Sequence, residues 1–358
     1  MLIGNSNGRR VVALFAFILA GQCCVGQQRS QGTPCSPSIV VVSVSDSNGK
    51  PVPGLTAENF LVRLHGHPVK ILSAKTDAGP RRIALILDSS GSMVGSQTWK
   101  PSLDVAKTLV ESLPPEDSIA FLSFGSQVER KIDFTPDRSP ILQQLDELQA
   151  GKRVLSKNTR GTALWDSVLE SSKLFGSPQI GDAIYVISDG RDNRSRAGRR
   201  DIEKALLATR VRFFAVFPPG VPLPQPPGHA TYAGPLQHAM DIEEPAAMAE
   251  GAQETPKTQG ENDLEEIAKM TGGALLADYE ASPDENPRPL APTALNFALD
   301  QLRTATDQFY QLELDLPQLA NERRDLRIEV VDQRHVSKVP LVLLYPQKFE
   351  PCGAGNGR

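Results

Sequence analysis

The chain has 358 residues, of which 40% are hydrophobic, and its formal net charge at pH 7 is -4. It is therefore long enough for one large domain or two modest ones, with ample apolar content for a core. The nearly balanced charge argues against a nucleic-acid-binding protein, which would need a clear excess of Lys and Arg.

The first 26 residues predict a secretory signal peptide. Arg9 and Arg10 precede an apolar run from Val11 to Ala20, and small and polar residues follow as far as Gly26. The run is shorter than the roughly 20 residues that span a bilayer. We expect cleavage near Gly26 and export to the periplasm, the outer surface or the medium. The mature chain offers no other stretch that predicts a transmembrane helix.

The four cysteines support two further predictions. Cys23 and Cys24 suggest a lipoprotein as an alternative, although Gln22 stands before Cys23, where a small residue is expected. After cleavage only Cys35 and Cys352 remain, one near each end, and in an oxidising compartment they are candidates for a disulfide. Two free or intermolecular thiols are the alternative.

Residues 27–37 predict a leader without regular structure, and residues 38–80 predict an N-terminal β segment. Ser38–Ser45 (SIVVVSVS) predicts a strand, and Leu61–Leu64 with Val69–Leu72 predict a hairpin.

From residue 81 to residue 306, apolar runs alternate with helical patterns. This order predicts a doubly wound, mostly parallel α/β sheet whose ligand site lies at the carboxyl ends of the strands. Residues 218–262 interrupt the pattern, are rich in Pro, Gly, Ala and Gln, and predict a disordered insert. Residues 307–350 carry three alternating patterns without helices between them. We expect them to form a small β-rich unit together with residues 38–80.

The first motif with chemical content follows the apolar run Ile83–Leu87. Asp88, Ser90 and Ser92 stand at alternate positions, and Gly91 permits a tight bend, so three oxygens can converge on one point. Hard oxygen ligands favour Mg²⁺ or Mn²⁺ over zinc. A serine-rich turn that caps the next helix is the alternative interpretation.

This Asp-x-Ser-x-Ser pattern resembles the metal-ion-dependent adhesion site of von Willebrand factor type A domains. Two later segments strengthen the resemblance: residues 160–166 (RGTALWD) look like the second metal loop of that family, and the apolar run 182–188 leads to Asp189 and Gly190. The resemblance implies that Thr162 and Asp189 complete the set of ligands. Residues 51–60 (PVPGLTAENF) also resemble the segment that precedes this domain in exported bacterial proteins, notably an acidobacterial group.

The resemblance implies an exported interaction module that captures an Asp or Glu of a partner protein through the bound metal. The alternative is a structural envelope protein whose metal only stiffens the fold. We do not predict an enzyme, because the sequence shows no nucleotide-binding loop, no nucleophile elbow and no histidines at ligand spacing.

Basic residues are dense in the two later loops. Arg160 precedes Thr162, and Arg191 and Arg194 follow Asp189. An ordinary solvated surface is one interpretation. The other is that these arginines steer an acidic partner towards the site.

Overall fold

The computed structural model of the protein describes residues 38–151, 161–218, 259–277, 292–316, 324–331 and 340–349. Within these ranges the strands form two sheets, one mostly parallel and one antiparallel. In chain order the strands are β1 (Ser38–Asp46), β2 (Phe60–Leu64), β3 (His67–Asp77), β4 (Arg82–Asp88), β5 (Ser118–Phe124), β6 (Val128–Thr135), β7 (Ala183–Ile187), β8 (Arg212–Phe217), β9 (Leu275–Ala277), β10 (Phe309–Asp315), β11 (Arg324–Val330), β12 (Leu341–Leu344) and β13 (Lys348–Phe349).

The helices of the described ranges lie between the strands of the parallel sheet or follow its last strand. A single 3-10 turn, Ala57–Asn59, precedes β2. The α-helices are α1 (Gly91–Val94), α2 (Trp99–Ser112), α3 (Ser139–Gln149), α4 (Leu164–Leu174), α5 (Arg199–Thr209), α6 (Gln259–Thr271) and α7 (Pro292–Asp307).

The parallel sheet has the order β6-β5-β4-β7-β8-β9. Among these described strands only β6, at one margin, runs antiparallel to its neighbour. Both faces of the sheet are covered, which explains why its strands are almost wholly apolar. In β4, Ile83 and Leu85 face the core formed with α2, α3 and α7, whereas Ala84 and Ile86 face the core formed with α4, α5 and α6.

The antiparallel sheet has the order β12-β1-β10-β3-β2-β11-β13 and combines both ends of the described chain. Its core comes from alternate residues, such as Val40, Val42 and Val44 on β1. The two sheets confirm the predicted fold class, an α/β sheet with a β-rich unit built from N- and C-terminal segments.

Two predicted boundaries are wrong. The hairpin strand predicted to end at Leu72 extends to Asp77, because β10 pairs with β3 along its length. Helix α6 begins at Gln259, inside the segment 218–262 that was predicted to be disordered. Gln259 and Gly260 carry no helical pattern, and Gly260 is placed by its close contact with the backbone of Gly190.

Several predictions concern residues outside the described ranges, namely the signal peptide, the leader 27–37, the insert from residue 219 to residue 258, and the Cys35–Cys352 disulfide. The disulfide requires β1 and β12 to be neighbours, and they do pair, with Ser43 opposite Leu344. The pairing of the two cysteines stays a prediction. No helix in the described ranges is long and apolar enough to cross a membrane.

Candidate metal centre

The loop after β4 brings Asp88, Ser90 and Ser92 together at the carboxyl edge of the parallel sheet. Asp88 is the last residue of β4, and α1 begins three residues later at Gly91. The backbone N–H of Ser90 donates to Asp88 Oδ1 at 2.9 Å. The Oγ atoms of Ser90 and Ser92 lie 3.1 Å apart. The three side chains therefore converge on one small region.

The Asp88 carboxyl group is fully buried. Its Oδ2 atom accepts a hydrogen bond from Ser188 Oγ at 2.7 Å. Burial, and after it the negative charge of Asp189, raise the pKa of Asp88 to about 7, although hydrogen bonds from Ser188 and Ser90 act in the opposite direction. A bound cation would oppose both of the effects that raise this pKa.

The loop after β7 carries Ser188 and Asp189 to the same edge. Gly190 donates its backbone N–H to Ser188 Oγ at 3.0 Å. Gly190 has a φ of +72°, and a Cβ at this position would collide with the backbone of Gly260 in the first turn of α6. Only glycine fits this close approach without strain. The start of α6 therefore packs directly against the Asp189 loop.

Thr162 is held by a short segment that follows Asp189; we call residues 192–197 the clasp. The backbone N–H of Thr162 donates to Asn193 Oδ1 at 2.8 Å. In return, the backbone N–H groups of Asn193 and Arg194 both donate to the carbonyl oxygen of Thr162, each at 3.0 Å. Thr162 is only 3% exposed. Both of its backbone polar groups are thus fixed by the clasp.

The clasp also holds the start of α4. The backbone N–H of Trp165 donates to Asp192 Oδ2 at 2.9 Å, and that of Asp166 donates to Ser195 Oγ at 3.0 Å. The Asp166 carboxylate in turn accepts the backbone N–H of Arg196 at 3.1 Å. These reciprocal bonds cap the first turn of α4, whose N–H groups have no partners within the helix.

The second loop also lies against the first. The backbone N–H of Ala163 donates to the carbonyl oxygen of Gly125 at 2.8 Å, just beyond the end of β5. The N–H and the hydroxyl of Ser89 both donate to the carbonyl oxygen of Phe124, at 2.7 and 2.8 Å. The end of β5 therefore joins the Thr162 loop to the Asp88 loop.

Of the three arginines predicted to steer a partner, the structure describes two. Arg160 lies outside the described residues. Arg191 is close to a predicted ligand: its Nε lies 3.6 Å from Asp189 Oδ2, while its side chain is 58% exposed. Arg194 is exposed, and its side chain occupies the space beside Gly161. Arg191 can therefore neutralise Asp189, a role that the sequence did not predict.

The structure places Asp88, Ser90, Ser92, Thr162 and Asp189 on three joined loops at one edge of the sheet. Sequence reasoning missed Ser188, Asp192 and Asn193, which position those residues. A signal for them exists in the run Asp189 to Ser195, because short polar side chains in a loop tend to bond nearby backbone groups.

The donor set fits a hard cation better than a soft one. In the described part of the chain, no three His, Cys, Asp or Glu side chains form a cluster that could hold a metal. This edge instead combines two carboxylates with three hydroxyls. Mg²⁺ accepts such oxygens and retains several waters, whereas zinc prefers nitrogen and sulfur ligands.

The sequence family agrees with this architecture. Residues 83–191 match the family model for the von Willebrand factor type A domain, and this segment includes all five predicted ligands. The match covers about a third of the chain and coincides with β4 to β7 of the parallel sheet and the three loops of the candidate metal centre. No curated protein matches the chain significantly.

The chain also shows a weak similarity to several solved structures. BatB from Bacteroides thetaiotaomicron is 20% identical, with 63% of this chain and 98% of that chain covered and a TM-score of 0.42. An aerotolerance-related membrane protein from Bacteroides fragilis, with multiple mutations to serines, is 21% identical, with coverages of 64% and 99% and a TM-score of 0.40. A von Willebrand factor type A protein from Catenulispora acidiphila is 11% identical, with coverages of 92% and 78% and a TM-score of 0.40. Similarity at this level identifies no activity, ligand or partner.

Proposed function

We propose that the protein is an exported interaction module that captures an Asp or Glu of a partner protein through Mg²⁺, or Mn²⁺, at a metal-ion-dependent adhesion site. The observation that carries this proposal is the buried Asp88 carboxyl group, held beside Asp189 and the hydroxyls of Ser90 and Ser92. The two negative charges repel each other in a buried site, which raises the free energy of the site without metal. A bound divalent cation would offset this repulsion.

Each residue has a separate role in the proposal. Asp88 and Asp189 supply two negative charges, while Ser90, Ser92 and Thr162 supply neutral oxygens. Bound Mg²⁺ would act as a Lewis acid for an outside oxygen ligand. Because three of the protein ligands are neutral, the site retains an attraction for a further carboxylate. The clasp keeps Thr162 in place before a partner arrives.

The second candidate is a structural envelope protein whose metal stiffens the fold. The contacts among the three loops are the observation behind it, because a cation bound by residues of these loops would add a further link at the same edge of the sheet. We propose no enzymatic activity. The hydroxyls of Ser90 and Ser92 contact each other, not an imidazole or amine that could activate them as nucleophiles.

Calorimetric titration with Mg²⁺ tests the assignment of the metal site. We expect binding to the unaltered protein and none to the Asp88→Ala variant. Asp104→Ala serves as a control, because Asp104 is an exposed carboxylate whose side chain is 47% accessible. Undiminished Mg²⁺ binding in Asp88→Ala would contradict the assignment.

A second titration separates capture of a partner from a structural metal. A Glu-containing peptide should bind in Mg²⁺ but not in chelator, and the same peptide with Gln in place of Glu should not bind. Thr162→Ala should weaken peptide binding more than Mg²⁺ binding. If Mg²⁺ binds but neither peptide does, the structural alternative holds. A pull-down from the envelope of the same organism, with Mg²⁺ or chelator, can then identify the partner.

We also propose that Arg160, Arg191 and Arg194 steer the acidic partner. Arg191 and Arg194 are exposed close to Asp189 and Thr162. Reversal of all three charges should slow association at low salt, and the defect should shrink between roughly 0.01 and 0.15 M salt. Reversal of the exposed Arg200 alone is the control. If the association rate changes neither on charge reversal nor with salt concentration, steering by these arginines is excluded.

A further inference from the structure

The start of β6 places a glutamate beside the candidate metal centre. Along β6, the pairing with β5 passes directly from Val128 to Arg130. Glu129 is therefore an extra residue in the strand and forms a β-bulge. Bulges are frequent at the margins of sheets and next to functional sites, where they redirect a side chain. A bulge at this position can aim Glu129 at the adjoining loop.

The carboxylate of Glu129 contacts the loop that carries the first predicted ligands. Its Oε2 atom lies 3.1 Å from Ser89 Oγ, and Ser89 stands between Asp88 and Ser90 in the chain. The hydroxyl of Ser89 is thus shared between this carboxylate and the carbonyl oxygen of Phe124, at 2.8 Å. Ser89 is fully buried, so this contact joins the bulge to the interior of the metal loop.

Gly125 provides the space for this contact. A Cβ at Gly125 would lie 2.9 Å from Glu129 Oε1 and 3.9 Å from the Cα atom of Ser90. Because both atoms are so close to one point, the carboxylate lies within one Debye length, roughly 8 Å at physiological ionic strength, of the backbone of Ser90. At this separation its charge is only partly screened from an ion bound by the loop.

The charge of Glu129 offsets a positive charge on the other side of the metal loop. The strands β6 and β7 lie on opposite sides of β4. After β7, Arg191 Nε lies 3.6 Å from Asp189 Oδ2 and cancels part of the negative charge available to a metal ion. After β5, the neighbouring Arg130 pairs with Glu147 at 3.5 Å, and the carboxylate of Glu129 contacts a neutral hydroxyl instead.

Glu129 lies outside the set of metal ligands. In the described part of the chain, no third acidic side chain joins Asp88 and Asp189 in a cluster that could hold a metal. The field of a unit charge extends beyond its contacts, and it acts on a divalent ion twice as strongly as on a monovalent one. Glu129 can therefore favour a divalent cation without coordinating it.

We propose that Glu129 is an outer carboxylate of the metal centre, which strengthens the binding of a divalent cation through its charge. The inference rests on the metal site proposed above and adds to it a residue that the Asp-x-Ser-x-Ser spacing does not contain. The bulge and the contact with Ser89 hold this charge in place, and Gly125 leaves room for it.

Calorimetric titration of the full exported chain with Mg²⁺ tests the proposal. Glu129→Gln keeps an acceptor for the Ser89 hydroxyl and removes only the charge, and it should weaken Mg²⁺ binding about tenfold at low salt. Glu129→Lys reverses the charge and should weaken binding further. Asp133→Asn is the matched control, because Asp133 is an exposed acid on the same strand nearer the amino edge of the sheet. It should leave the affinity for Mg²⁺ nearly unchanged.

Salt separates the effect of charge from a structural role of the side chain. The difference in Mg²⁺ affinity between the unaltered protein and Glu129→Gln should shrink as salt rises from roughly 0.01 to 0.15 M. Thermal unfolding in chelator verifies that the variants are folded. Equal affinities of the two proteins, or a defect that does not respond to salt, would overturn the role of Glu129 and leave the metal site standing. If the unaltered protein binds no Mg²⁺, both proposals are wrong.

Discussion

The two edges of the parallel sheet arrange buried charge in opposite ways. At the amino edge, Arg82 donates to both carboxylate oxygens of Asp182, at 2.9 and 2.5 Å. Arg81 nearby pairs with Asp77 at 2.8 Å. At the carboxyl edge, Asp88 lies close enough to Asp189 for one negative charge to raise the pKa of the other. Opposite charges thus stabilise the Arg82–Asp182 and Arg81–Asp77 pairs at the amino edge, whereas the like charges of Asp88 and Asp189 favour an added cation at the carboxyl edge.

The largest expected effect tests the amino edge. Arg82→Ala leaves the Asp182 carboxylate, whose side chain is 2% exposed, without its main partner. We expect a loss of about 3 kcal/mol in the free energy of unfolding, measured by urea denaturation. The control is Lys100→Ala, which breaks an exposed pair and should cost less than about 1 kcal/mol. Equal losses in the two variants would contradict the comparison.

The second prediction concerns pH and the same edge. Burial, and then the charge of Asp117, raise the pKa of Asp307 from 3.8 to about 6, although Arg303 and Arg81 oppose the shift. Between about pH 4 and pH 6, Asp307 therefore keeps its proton in the folded chain and has lost it in the unfolded chain. Stability attributable to this group is present below about pH 4 and is lost as the pH rises to about 6, by at most about 3 kcal/mol.

Asp307→Asn should flatten this part of the pH profile of the free energy of unfolding. Asp117 also has a raised pKa, so a smaller slope of the same sign should remain. Asp300→Asn, on the exposed side of α7, is the matched control and should leave the slope unchanged. A slope in Asp307→Asn as steep as in the unaltered protein would refute the assignment.

The third prediction tests the carboxyl edge by removal of one like charge. Without metal, Asp88→Asn should be at least as stable as the unaltered protein, since the repulsion from Asp189 is gone. Mg²⁺ at a hundred times its dissociation constant should stabilise the unaltered protein by about 2.7 kcal/mol and the variant not at all. Thermal unfolding with Mg²⁺ or chelator measures both effects, and Asp104→Asn is the control. Mg²⁺-dependent stabilisation of Asp88→Asn would contradict the proposed site.

The smallest effect is expected in the clasp. Asn193→Ala removes the acceptor for the backbone N–H of Thr162 and should cost about 1 kcal/mol. The more informative measurement is hydrogen exchange at Thr162, which should accelerate in Asn193→Ala and return towards its original rate in Asn193→Asp. Asn296→Ala, at an exposed position on α7, is the control. Unchanged exchange at Thr162 would show that the clasp does not hold this loop.

Much of the fold could be predicted because its information is local. The apolar run Ile83–Leu87 is buried on both faces, and such a run has few other stable environments. Alternation at Phe309–Asp315 likewise indicated a strand with one buried face. The boundary of α6 was missed because Gly260 is placed by its contact with Gly190, seventy residues earlier in the chain.

The sequence by itself determined the kinds of elements and the order of the residues at the carboxyl edge, because strand periodicity and the Asp-x-Ser-x-Ser spacing are properties of adjacent residues. Only the tertiary structure decided that β1 lies between β10 and β12. It also decided that Asn193 holds Thr162 and that Arg212 is buried among neutral acceptors. These contacts join residues far apart in the chain, and their partners are selected by the packing of whole sheets, which no local pattern encodes.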